Sequence, residues 1–476
     1  MELVAKGAQD IYLTGNPNVT YFKSIFKRHT NFSMESMQQS FTGDLNFGKK
    51  LNSTIKRTGD LLSGITLEID LPKLTGKRTD DGKPIMRWSN SIGHTIIKKL
   101  EIEIGGQIID TQYGEWMEIW GELTTEGGHM EGFKNMIGKN DSGSGMLANV
   151  PQKIIVPLKF WFCKNIGLAL PLVALQYHEI KLYVDLRPFS ECWQKPINRY
   201  YVEVDSTDQK HINIITGGTG TLNSSFLEKD VFVNQKLIWE EDGREELVKS
   251  LVDTDTIEMI GDSKTKGHKG YIYLLLDEPD KEYSLDDIRI YCDYIFLDTN
   301  ERKYFAQNGH IYLIEQVQFN GNTSYRASQE SNKIIMEFNH PCKELFWVTQ
   351  MDMTKTFNRH LNFSDSVESG VDPILDTVLY INGQERFGVR NASHFRLEIP
   401  YKRHSRIPKS HIYVYSFSLK PEQMQPSGTC NFSRLDSSEL VINYKSNLLA
   451  SNTRVYALNY NILNVKNGMG GVAYSN

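Results

Sequence analysis

The run Leu100-Glu101-Ile102-Glu103-Ile104-Gly105-Gly106-Gln107-Ile108-Ile109 decides the fold class. Leu100, Ile102 and Ile104 fall on one side of an extended chain and the two glutamates on the other, because side chains of a strand alternate faces. Gly105-Gly106 supplies the positive-φ backbone of a tight hairpin turn, and Ile108-Ile109 begins the return strand. The same period of two recurs in Ile65-Thr66-Leu67-Glu68-Ile69-Asp70-Leu71 and from His178 to Leu186. Further strands are predicted at 153–162, 270–276, 311–319, 333–338, 377–381, 412–419, 440–444 and 454–465. Many short strands between polar turns predict an all-β chain of sandwiches or barrels. Alternating strand–helix units are absent, which argues against Rossmann and TIM layouts. Helices are predicted at 115–123 and at 17–29.

The chain has 476 residues. At roughly 150 residues per domain that is about three domains, or two large all-β ones. The stretch Thr216 to Ser225 is rich in glycine, serine and threonine and has little to bury, so it reads as a boundary. This predicts an arm at 1–30, a first sandwich at 31–215, a linker at 216–226 and a second sandwich with a tail at 227–476. An internal echo fits two domains of one kind. Ile104-Gly105-Gly106-Gln107 resembles Ile381-Asn382-Gly383-Gln384, and Glu179-Ile180 can be laid on Glu439-Leu440.

Composition excludes several function classes. The formal charge is −5, a poor start for a nucleic-acid-binding protein. No apolar run approaches the roughly 20 residues of a membrane helix, and residues 1–10 lack a signal-peptide core, which predicts a chain kept on the cytosolic side. The five cysteines (163, 192, 292, 342 and 430) contain no CxxC pair and are read as reduced thiols. His178-Glu179 lacks the second histidine of a zincin, and no GxxxxGK[ST] loop or GxSxG elbow occurs. Asp253, Asp255 and Glu258 read as an acidic solvent loop. No catalytic, cofactor-binding or metal-ligating residue is therefore expected. Asn-x-Ser/Thr occurs nine times and is read mostly as turn chemistry. Phe160-Trp161-Phe162 and Phe346-Trp347-Val348 read as core or interface anchors.

The N-terminal segment carries the candidate interaction residues. Asn16 suits an N-cap and Pro17 a first helical position, and Val19, Phe22 and Phe26 follow at i, i+3 and i+7. Lys23, Lys27 and Arg28 would occupy the other side. The expectation is a short basic amphipathic helix, either docked on its own domain or used for contacts. Charge is segregated elsewhere too. Residues 226–300 carry 19 Asp/Glu against 9 Lys/Arg, and residues 401–476 carry 9 Lys/Arg against 3 Asp/Glu. Two readings stand: solvated faces, or complementary surfaces that meet between subunits.

Several blocks together resemble the major capsid proteins of nucleocytoplasmic large DNA viruses. They are Gly7 to Pro17 (GAQDIYLTGNP) with Arg28-His29-Thr30-Asn31-Phe32, then Phe160 to Asn165 (FWFCKN), Ala169-Leu170-Pro171-Leu172 and Leu175 to Glu179 (LQYHE). The second half adds Asn339-His340-Pro341, Glu344-Leu345, Asn431-Phe432-Ser433-Arg434, Ala457 to Asn461 (ALNYN) and Gly468-Met469-Gly470-Gly471. The resemblance implies a double jelly-roll, two tandem eight-stranded sandwiches. It implies homotrimers that form pseudo-hexagonal capsomers and tile an icosahedral shell, with the protein residing in the virion after assembly in the host cytoplasm. It implies no enzyme activity and no cofactor. It implies contacts with neighbouring trimers, minor capsid and penton proteins and an inner membrane, without sequence-specific nucleic-acid binding. In that frame Val19, Phe22 and Phe26 dock the arm at the capsomer base, and Lys23, Lys27 and Arg28 face minor capsid proteins or the membrane. A glycan-binding sandwich, such as a viral surface spike, is the alternative, and a metal-dependent jelly-roll enzyme is a further one.

Overall fold

A computed structural model describes residues 4–77, 86–217, 235–252, 256–326, 329, 331–368, 370–446 and 448–474. The first part of the chain forms β1 (Phe32–Gln39), β2 (Lys50–Thr54), β3 (Leu61–Leu71), β4 (Ile97–Ile104), β5 (Gln107–Gln112), β6 (Gln152–Pro157) and β7 (Ile180–Leu186). Six strands then close into a barrel: β8 (Ile197–Val204), β9 (His211–Gly217), β10 (Lys236–Trp239), β11 (Glu245–Leu251), β12 (Thr256–Met259) and β13 (Lys269–Leu275). β14 (Asp287–Leu297) follows. The rest comprises β15 (His310–Tyr325), β16 (Ser331–Ile335), β17 (Pro341–Met351), β18 (Ile374–Ile381), β19 (Gln384–Glu385), β20 (Tyr413–Ser416), β21 (Ser438–Tyr444), β22 (Ser451–Lys466) and β23 (Met469–Val472).

Two sheets, β1-β14-β3-β6 and β2-β7-β4-β5, make the first sandwich. Two more, β15-β22-β17-β20 and β16-β21-β18-β19, make the second. Counting each sandwich's strands from its own first, both read 1-8-3-6 and 2-7-4-5. That shared order is a jelly-roll, in which the last strand returns beside the first. The all-β double jelly-roll expected from the sequence is the observed architecture. The sequence echo falls on equivalent strands. Ile104 and Ile381 end the two fourth strands, and the Ile180 and Leu440 segments are the two seventh strands. Both fourth strands turn through left-handed backbone, at Gly105 and Gly106 (φ +58° and +87°) and at Asn382 and Gly383 (φ +51° and +75°).

The expected boundary at 216–226 needs correction. β14 lies well beyond it yet pairs with β1 (Phe32↔Leu297) and β3 (Ile69↔Ile288). The first sandwich therefore runs to residue 297, and the barrel of residues 197–275 is an insertion between its seventh and eighth strands. Thr216 and Gly217 end a barrel strand, while 218–226 lie outside the described residues, as do Asp253 and Asp255. A glycine- and serine-rich run reports a segment with little to bury. That composition does not by itself mark the end of a domain.

Burial follows the alternation. Leu67, Ile69, Ile102, Ile104 and Val184 fill the first sandwich. Leu345, Trp347, Leu379, Ile442 and Val455 fill the second. Val202, Trp239, Val248, Ile257 and Ile272 give the barrel its own core. Both aromatic blocks, Phe160–Phe162 and Phe346–Val348, are buried as expected. Cys192, Cys292 and Cys342 are buried free thiols and Cys163 and Cys430 are half-buried. Burial pushes the Cys163 and Cys292 thiols up to about 12, far from thiolate reactivity. The turn reading of Asn-x-Ser holds at Asn140, Asn362, Asn391 and Asn431, whose side-chain oxygens accept from the backbone N–H two residues on. Asn391 and Asn431 end two-residue strands, and Asn52 and Asn322 lie inside longer ones.

The helix expected at 115–123 is α1 (Gly114–Thr124). The one expected at 17–29 does not form; four helical residues, Ile11–Thr14, precede an irregular segment. Asn16 takes φ +50°, which is not the extended conformation of an N-cap. The segment buries nothing against its own chain, and an isolated helix of this length is marginal in water.

Candidate assembly surfaces

α1 keys the two sandwiches together. Its Trp116, Ile119, Trp120 and Leu123 pack against Val317 of β15, Phe346 and Val348 of β17, Val414 of β20, and Tyr456 and Leu458 of β22. The Trp116 ring meets Phe346 edge-on, with centroids 5.1 Å apart. Aromatic burial of this kind stabilises by a few kcal/mol per ring, in the range of about 2–4.

Charge completes the seam. Glu115 accepts from Arg454 (2.5 Å) and from the Tyr456 hydroxyl (2.8 Å). Asp110 accepts from the Val317 amide at 3.1 Å, and burial pushes its carboxyl up to about 6. Glu315 lies between Lys164 (3.0 Å) and Lys343. Lys139 bridges Glu118 and Glu122, and Glu122 also accepts from the backbone N–H of Lys409 at 3.1 Å. Burial alone would raise the Glu118 carboxyl, but Lys139 and His94 outweigh it and hold the group down at about 2. Asn358 donates to the carbonyls of Ser190 and Trp193, both at 2.7 Å.

These pairs revise the reading of the segregated charge. Arg406, Lys409 and Arg454 of the basic tail reach Glu122, Asp141 and Glu115 of the first sandwich in the same chain. In the acidic stretch, Glu240 pairs with Arg199, Glu241 with Lys264, Glu258 with Lys249 and Asp287 with Arg289. Much of the complementarity expected between subunits is thus satisfied within one.

The unsatisfied surface is elsewhere. Val19, Phe22 and Phe26 are 61%, 99% and 81% exposed, and Lys23, Lys27 and Arg28 are exposed as well. Without a helix these six residues share no common face. Ile11, Tyr12, Leu13, Tyr21 and Ile25 are exposed too, so the arm is apolar along most of its length. It leads into β1, which among the described residues is a sheet edge paired with β14 alone and which exposes Phe32 and Met34. Such an edge with apolar side chains is a template for another chain. Beside it lies a groove of about 620 Å³, lined among others by Phe32, Ile166, Leu297, Tyr304, Phe305 and Ile311. Sequence reading missed this groove, because β1, β14, β15 and α2 (Thr299–Gln307) contribute to it from separate parts of the chain. Among the described residues no three His, Cys, Asp or Glu side chains are grouped to hold a metal ion.

Comparison with known proteins shows the family. Residues 20–217 match the family described as major capsid protein N-terminus, and residues 301–471 match large eukaryotic DNA virus major capsid protein. The major capsid protein of Pyramimonas orientalis virus is 37% identical over 503 residues, covering 100% of this chain and 99% of the relative. That of Phaeocystis pouchetii virus is 34% identical with the same coverage. Among solved structures, PBCV-1 VP54 aligns with a TM-score of 0.67 at 28% identity, covering 96% of this chain and 100% of VP54. The Faustovirus major capsid protein shares the fold, with a TM-score of 0.68 at 12% identity, covering 97% and 94%. Fold and relatives together define a double jelly-roll capsid protein. The chain belongs to the major capsid proteins of large eukaryotic DNA viruses, and its role is structural, in the virion.

Proposed function

We propose that three copies associate into a pseudo-hexagonal capsomer and that capsomers tile an icosahedral shell. The observation that carries this is the repeated strand order within one chain. Two like sandwiches locked by α1 and its charges present two near-equivalent sides, so a threefold ring offers six. A cyclic arrangement of this kind closes with one repeated contact. The role this gives the chain is assembly rather than catalysis.

The arm's place in this reading is the base of the capsomer. Val19, Phe22 and Phe26 supply apolar docking, and Lys23, Lys27 and Arg28 supply cationic contacts to minor capsid and penton proteins or to anionic lipid of an inner membrane. Its exposure in the single chain supports a contact role over an internal one. Assembly in the host cytoplasm agrees with a chain that keeps free, buried thiols. Electron micrographs of the purified assembled protein test the proposal. Six-lobed capsomers are expected; three-lobed or irregular particles would contradict it.

A further inference from the structure

We infer that the arm of one copy docks in the groove beside β1 of a second copy. The inference rests on the assembly reading above and goes beyond it by naming the two surfaces that meet. The groove is apolar and open: Tyr304 and Ile311, on its lining, are 60% and 76% exposed. It also holds an unpaired acceptor. Glu301 lies on the groove wall, and its Oε2 is buried with no hydrogen-bond partner among the described residues. A buried carboxylate oxygen left unpaired is costly, so it marks a place where a donor is missing.

The arm has the matching chemistry. Tyr21, Phe22, Ile25 and Phe26 are exposed aromatic and aliphatic side chains, and Lys23, Lys27 and Arg28 are interleaved with them. A cation from this segment answers Glu301 while the neighbouring rings fill the apolar wall. The arm's own groove is a poor destination. Thr30 and Phe32 line it, so Phe26 would enter only by a reversal through Lys27-Arg28-His29. That tripeptide has no glycine, proline, asparagine or aspartate to make the turn. Reach allows a second copy: the eight residue steps from Phe22 to Thr30 span up to about 28 Å when extended.

The test uses full-length chains of two kinds, Phe26→Cys and Tyr304→Cys, carrying different tags and co-expressed. A bismaleimide is applied to the isolated oligomer and to assembled particles, with wild-type chains as control for the native thiols. The expected result is a covalent product containing both tags in at least one of the two samples. Adding Glu301→Arg to the Tyr304→Cys chain lowers its yield about tenfold, by like-charge repulsion. A product found only within single chains of a Phe26→Cys/Tyr304→Cys double variant would overturn the inference, since the arm then folds on its own groove. So would the absence of any product while the assembled mass stays that of wild type. Loss of the assembled state in wild type itself would instead count against the assembly reading.

Discussion

Lys139 shows how single residues hold this molecule together. Its ammonium is buried between Glu118 and Glu122, and Glu122 in turn meets Lys409 and Arg406 of the other sandwich. Removing one partner of a buried pair leaves charge without compensation, at a cost of about 3–5 kcal/mol. Lys139→Met is expected to lower stability by that amount, measured by urea unfolding, and to loosen the seam first. His404 gives a pH dependence. Burial would lower its pKa, but Glu344 at 3.2 Å and Glu422 at 3.0 Å outweigh burial and raise it to about 9. A histidine raised on folding stabilises fully below its ordinary pKa of 6.5, and the contribution fades as pH rises through about 9. Thermal stability is expected to decline from pH 6.5 to 9, by an amount on the order of 3 kcal/mol. His404→Gln should lose that slope; an unchanged slope would remove His404 as its source.

At the scale of elements, the hairpin turn that announced the fold also separates its two copies. Gly106 and Gly383 hold equivalent left-handed positions, and at the position before them one turn carries Gly105 where the other carries Asn382. A Cβ on Gly383 meets nothing within 4 Å, whereas one on Gly105 would sit 2.1 Å from Nδ1 of His178. His178 is itself tied to Gly470 of β23 at 3.0 Å. Gly383→Ala should therefore cost only the left-handed penalty, about 1–2 kcal/mol. Gly105→Ala should cost clearly more in the same unfolding assay. Sequence made these turns legible because period-two alternation and glycine pairs are local signals. The helix expected at 17–29 was also a local pattern, but an amphipathic face stabilises a helix only when something covers it, and nothing among the described residues does. α1 shows the contrast, since its Trp116 and Trp120 face the second sandwich.

For the whole molecule, the feature hidden from sequence was long-range pairing. β1 and β14 pair across more than 250 residues, and no periodicity within either strand encodes that. The return of β14 moved the end of the first sandwich from 215 to 297 and put Thr216 and Gly217 of the expected linker in a strand of an inserted barrel. The charge reading changed for the same reason. The basic tail seemed free to meet another subunit until the fold brought Glu115, Glu122 and Asp141 to it. What stays unsatisfied is the arm, the β1 edge and the groove beside it. Deleting residues 1–30 removes no buried side chain among the described residues, so the melting temperature of the remaining chain should stay within a few degrees of wild type. Contacts between copies should weaken, read as earlier dissociation on dilution.

The central claim is that one chain with two like sandwiches closes a threefold ring. Light scattering on the eluting protein at micromolar concentration tests it most directly. The account predicts a particle of three times the 54.6 kDa chain mass that resists dilution. A stable monomer at that concentration would contradict it.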